Sequence, residues 1–139
     1  MDRSNEVVAT AVRWFEEVWN QRRKETIDEL LDESSVCHAE GGPIVGPEGF
    51  RQRMYTPFLG AIPDLFVTVE DAVAEGTQAV VRWSASGTLC GPELGIRPAR
   101  QAVALRGITW IHVRNGKLGE GWQYSNLGEV LASLAQSTM

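Results

Sequence analysis

From Leu65 to Ser125 the chain is written for β-strands, and that stretch limits what the rest can build. Leu65, Val67 and Val69 alternate with Phe66, Thr68 and Glu70, and a period of two puts each set on one sheet face. Glu75-Gly76 turns the chain into a second strand over Ala79 to Gly87, and Gln101 to Val113 forms a third. Asn115-Gly116, a pair that tolerates positive φ, predicts a tight hairpin into Leu118 to Ser125. An antiparallel meander of this kind buries one face, so the residues before it must supply the cover.

Those residues read as helices. Val8, Ala11, Val12, Phe15, Val18 and Trp19 form one apolar stripe at helical spacing, predicting a first helix from about Asn5 to Arg23 with Ser4 as its cap. Arg22, Arg23 and Lys24 then fall at its C-terminus, where the helix dipole favours cations. Thr26-Ile27-Asp28-Glu29 has the form of a capping box and opens a second helix. Val36 to Ala39 is a short extended piece before the turn Gly41-Gly42-Pro43. Gly46-Pro47-Glu48 starts a third helix, with Phe50, Met54 and Phe58 on one side and a kink near Tyr55 imposed by Pro57. Leu127 to Gln136 closes the chain as a helix. Helices gathered on one side of an antiparallel sheet make an α+β fold. A flat sheet leaves too little room for so many large apolar residues. Curling it around the first helix gives a cone with a mouth, a curved antiparallel sheet wrapped around N-terminal helices as one domain over residues 1–139.

Composition excludes other classes. Hydrophobic residues at 43% and charged residues at 22% describe an ordinary globular chain. A net charge of -5 without a basic face argues against nucleic acid. No apolar run is long enough to span a bilayer, and Met1 to Glu6 has no signal-peptide character, so the expected location is cytoplasmic. Cys37 and Cys90 lack metal-ligand spacing and read as free thiols. Five tryptophans supply flat apolar surface, useful both in a core and in a pocket for a planar ligand.

An ordered set of strings narrows the reading. Trp19-Asn20 is followed by His38-Ala39-Glu40-Gly41-Gly42, Gly46-Pro47-Glu48-Gly49-Phe50 and Ile62-Pro63-Asp64-Leu65. Then come Val69-Glu70-Asp71, Val81-Arg82-Trp83, Gly87-Thr88-Leu89-Cys90-Gly91, Asn115-Gly116-Lys117 and Glu120-Gly121-Trp122, ending at Asn126. From Trp14 to Leu134 the chain resembles the SnoaL-like polyketide (ester) cyclase family, within the nuclear-transport-factor-2-like superfamily. The resemblance implies the cone-shaped fold, chemistry without a cofactor, a small hydrophobic polyketide-like ligand and a homodimer formed through the outer sheet face; with no clustered ligand motif beside His38 and His112, no metal is expected. It also implies ring closure by an intramolecular aldol step, with a carboxylate as acid/base and hydrogen-bond donors for the oxyanion.

Three departures fall at that chemistry. The family pattern of Trp, three residues and a catalytic Asp reads Trp122 to Asn126 here, and a carboxamide takes no proton at neutral pH. Leu89 stands where the family commonly has His, and Pro98-Ala99-Arg100 replaces Pro-Thr-Gly at the mouth. The candidate catalytic residues are therefore His38, Glu40, Asp64 and Asn126. Asn126 serves either as an oxyanion donor or as a cap for the last helix. His38 and Glu40, two apart on an extended segment, point the same way. Trp19, Tyr55, Phe58, Trp83, Trp110, Trp122 and Tyr124 are the aromatic candidates for the pocket wall. Strand alternation puts Trp122, Tyr124 and Asn126 on one face, here expected to line the cone, and leaves open which face of the Trp110 and His112 strand is buried. A cyclase or isomerase, a non-catalytic binding protein and an epoxide hydrolase or cyclic-ether former using Asp64 with Glu40 are the competing readings.

Overall fold

The computed structural model describes residues 4–97 and 100–137. Helix α1 (Ser4–Arg13) runs directly into a π-helical stretch, Trp14–Asn20, and α2 spans Lys24–Leu30. A short hairpin, β1 (Val36–Ala39) and β2 (Gly42–Val45), leads to α3 (Gly46–Phe50). A second π-helical stretch, Arg51–Tyr55, joins α3 to α4 (Thr56–Ala61). The meander is β3 (Phe66–Glu75), β4 (Gln78–Leu89), β5 (Gln101–Arg114) and β6 (Lys117–Ser125), followed by α5 (Leu127–Ser137). Strand order is β2-β1-β6-β5-β4-β3, antiparallel throughout except where β1 lies parallel to β6. The architecture is the expected α+β one, a curved and unclosed sheet with helices on its inner side.

The helices differ in detail from the pattern reading. The first ends at Asn20, because Arg22 adopts φ 61° and turns the chain. Its buried stripe is Val7, Ala11, Trp14, Phe15, Val18 and Trp19, with Val8 and Val12 only half-buried. The helix widens in its second half, as the bond from Gln21 N–H to the Glu16 carbonyl shows. Thr26 is no cap: it lies inside α2, fully buried, and its hydroxyl donates to Glu17 Oε1 at 2.7 Å. The Arg13 guanidinium and, after it, that bond hold the Glu17 carboxyl below its usual range. Pro57 sits in the first turn of α4, so the kink expected near Tyr55 takes the form of the π-helical stretch ending there. The side chain of Ser4, expected as a cap, lies outside the described residues.

Both predicted hairpins form. Asn115 and Gly116 have φ of 52° and 74°, the two positive values that a type I′ turn needs. Two bulges bend the sheet, one in β3 between Val69 and Asp71 and one between β5 and β6. In the second, Ile111 pairs with Gly121 and Val113 with Leu118, so two β6 residues face one on β5. This extra residue, at Gly119-Glu120, reverses the inside-outside alternation of everything after it. Leu118, Gly121 and Gln123 face the helices, while Glu120, Trp122 and Tyr124 face away.

Candidate functional site

Between the inner side of the sheet and the helices lie two adjoining, partly open voids. One, of about 60 Å³, lies among Trp14, Cys37, Ile44, Phe50, Met54, Thr109, Ile111 and Leu118. The other, of about 40 Å³, lies among Phe15, Trp19, Met54, Phe58, Leu65, Val67, Trp83 and Leu105. Met54 and Gln123 border both and form the partition. Neither void, nor the two joined, reaches the roughly 150 Å³ of an apolar cavity that takes benzene. A ring-sized guest enters only if a side chain moves, and Met54, unbranched and flexible, is the one placed to do so.

The walls are nearly all carbon, with one polar chain running through them. Trp83 Nε1 donates to the buried Thr109 hydroxyl at 2.9 Å, and Thr109 donates in turn to Gln123 Oε1 at 3.4 Å. Thr109 and Gln123 are cross-strand partners in the β5–β6 ladder. Burial pushes the Cys37 thiol up to about 11, so it stays protonated and unreactive at neutral pH. Tyr55 is buried among Trp19 and Phe50, and that burial raises its phenol. Thr109 and Gln123 were missed in the sequence reading. A polar residue opposite a polar residue on two strands of otherwise inward apolar residues was the available signal, and it required knowing the bulge.

Among the residues proposed from sequence, Trp19, Phe58 and Trp83 meet on the second void, and Tyr55 packs behind Trp19. Trp110, Trp122 and Tyr124 do not join them. Alternation aimed Trp122, Tyr124 and Asn126 into the cone, but the bulge before Trp122 turns these side chains to the outer sheet face. There Tyr124 is 69% exposed and Trp110 49% exposed, beside His112. His38 stacks on Trp122 with ring centres 5.3 Å apart, and its Nε2 lies 2.7 Å from Glu120 Oε2.

The other three polar candidates are each engaged away from the voids. Glu40 accepts from Ser125 Oγ at 3.1 Å. Asp64 accepts from the Thr88 backbone N–H at 2.7 Å and from its hydroxyl at 2.9 Å, tying the start of β3 to the end of β4. Those donors hold the Asp64 carboxyl below its ordinary value. Asn126 Oδ1 accepts the Arg106 backbone N–H at 2.8 Å, closing the β5–β6 ladder, while its own carbonyl accepts the Val130 N–H. Its side chain therefore extends the sheet instead of capping α5. No cavity is bordered by both Asp64 and Glu40 among the described residues. Leu89 is 1% exposed, a packed core residue. Arg100 adopts φ 48°, so the mouth keeps a left-handed residue where glycine was the expected type; Pro98 and Ala99 lie outside the described residues.

The family model of the SnoaL-like polyketide cyclases matches residues 9–134. The chain belongs to this family. Solved structures agree on the fold. A candidate SnoaL-like polyketide cyclase from Jannaschia sp. CCS1 is 23% identical, with 97% of each chain covered and a TM-score of 0.85. AclR, a candidate hydroxylase from Streptomyces galilaeus, is 22% identical over 95% of this chain and 82% of its own, at 0.81. IdmH, a candidate polyketide cyclase from Streptomyces antibioticus, is 25% identical over 93% and 98%, at 0.79. No curated protein matches this chain in sequence. Membership supports a cyclase- or isomerase-type function in general. Among the described residues no helix is long and apolar enough to cross a membrane, and no three His, Cys, Asp or Glu side chains converge as metal ligands.

Proposed function

We propose that this family member encloses a small, hydrophobic polyketide-like molecule between helices and sheet and steers its ring closure or isomerisation by confinement. The observation carrying this reading is the carbon-walled chamber, divided by a movable Met54 and crossed by one polar chain. None of His38, Glu40, Asp64 and Asn126 borders it, so the reaction proposed is one in which no protein carboxylate moves the proton. A carbon flanked by two carbonyls is acidic enough to lose its proton to water. Holding the resulting enolate against a second carbonyl is then the larger contribution. Proximity and orientation supply up to about 7–11 kcal/mol, whereas a positioned acid/base supplies about 100- to 10,000-fold.

Nonane-2,4,8-trione, whose C3 lies between two carbonyls and closes on the C8 carbonyl to a six-membered enone with loss of water, tests this reading. The expected result is faster closure in the presence of the protein, unchanged by Glu40→Gln. Loss of turnover in that variant would return the acid/base role to Glu40. The second reading is binding without turnover. It is favoured by the same lack of a carboxylate or imidazole on the chamber wall among the described residues, and it predicts saturable binding of the trione with no acceleration.

The outer sheet face belongs to a homodimer in this proposal. It exposes Phe66, Ile108, Trp110 and Tyr124, and it carries Arg82, Arg106 and Glu129 without ion pairs among the described residues. Both signs of charge on one face suit a two-fold interface, where each patch meets its own copy.

A further inference from the structure

We propose that Gln123 selects the ligand, using the N–H donors of its amide to hold a neutral carbonyl oxygen inside the chamber. The inference rests on the chamber being the ligand site, and it adds the chemical class that the site accepts.

The orientation of the amide follows from hydrogen-bond bookkeeping. An indole N–H only donates, so the bond from Trp83 Nε1 to Thr109 Oγ1 occupies the hydroxyl as acceptor. The hydroxyl keeps its proton to donate, and Gln123 Oε1 lies 3.4 Å from it, so the amide stands with its oxygen toward Thr109 and its nitrogen free. Among the described residues Gln123 Nε2 has no hydrogen-bond partner, although Gln123 borders both voids. Gly107 makes the arrangement possible. A Cβ there would lie 2.4 Å from the Trp83 ring, so only glycine lets the indole cross β5 to reach Thr109.

What such a group admits can be worked out by elimination. A donor pair among carbon walls needs an acceptor from the guest, so a hydrocarbon leaves it unpaired. An alcohol satisfies it as an acceptor but brings a proton that must be placed as well, and the amide offers it only the second lone pair of the Oε1 that Thr109 already uses. A carboxylate finds no cation among the residues bordering either void. A ketone or ester carbonyl, an acceptor with no proton and no charge, is the remaining match. Trp83 and Thr109 are positioning residues in this scheme, acting through Gln123.

Three isosteric guests test it: cyclohexanone, cyclohexanol and methylenecyclohexane, titrated into the wild-type chain, Met54→Ala, Gln123→Leu and Thr109→Val. Wild type is expected to favour cyclohexanone over methylenecyclohexane by about tenfold, the scale of one net hydrogen bond. Its bound ¹³C carbonyl resonance should move downfield. Gln123→Leu abolishes both the preference and the shift while still binding the hydrocarbon. Thr109→Val frees the amide to turn over, so the preference for ketone over alcohol falls towards unity, a readout that a purely structural threonine would not move. Equal ratios in wild type and Gln123→Leu overturn the role of Gln123 and leave the chamber standing. Failure of all three guests to bind either wild type or Met54→Ala overturns the chamber and this inference with it.

Discussion

Replacing Met54 with alanine merges the two voids into one chamber able to take a ring-sized guest. Met54 is 7% exposed and borders voids of about 60 and 40 Å³. Losing its thioether arm costs about 2–5 kcal/mol if the walls stay in place. A domain of this length has roughly 7–20 kcal/mol of stability in total, so the variant remains folded. Each kilocalorie lowers the melting temperature of a chain this size by roughly 3–4 °C, giving a drop of about 10 °C. A guest at one hundred times its Kd restores about 2.7 kcal/mol, or roughly 8–10 °C. Thermal melts of wild type and Met54→Ala with and without cyclohexanone read both effects. A variant that loses little stability and gains nothing from the guest would refute this, since the helices would then have closed onto the sheet.

Other consequences are cheaper to check. Asp64→Asn removes a carboxylate whose folded value is depressed, so its stabilisation is present above the ordinary aspartate value of 3.8 and fades as pH falls through the folded value. Urea melts at pH 6 should therefore separate wild type from Asp64→Asn, and melts at the acid limit of folding should bring them together. Cys90 is exposed while burial lifts the Cys37 thiol to about 11, so iodoacetamide at pH 7 labels Cys90 first. Rapid Cys37 labelling in the native protein would mean that the first void opens freely. Trp110→Glu puts like charges face to face in a two-fold interface, and light scattering should then report a monomer where wild type is a dimer.

The broad architecture was legible because turn chemistry and alternation agreed. Asn115-Gly116 and Glu75-Gly76 set the hairpins, and apolar alternation marked the strands they join. The site was not legible, and one residue explains most of that. Counting by twos from Leu118 sends Trp122 and Tyr124 inward, but the extra residue at Gly119-Glu120 sends Gln123 inward instead. A bulge leaves little trace in composition, so the pattern marks the aromatic residues while the inward polar pair is Thr109 and Gln123. The first helix shows the same limit in another form: Val7 and Trp14 join its buried face, while Val8 and Val12 are only half-buried.

The central claim is that the ligand sits between helices and sheet. Methyl-labelled methionine gives the most direct measurement, because the Met54 methyl stands on the partition between the voids. On titration with pentane-2,4-dione, a small neutral diketone, the account predicts a large shift of the Met54 methyl and nuclear Overhauser contacts from it to the guest. Shifts confined to Trp110, Trp122 and Tyr124, with Met54 unmoved, would place the guest on the outer face and contradict it.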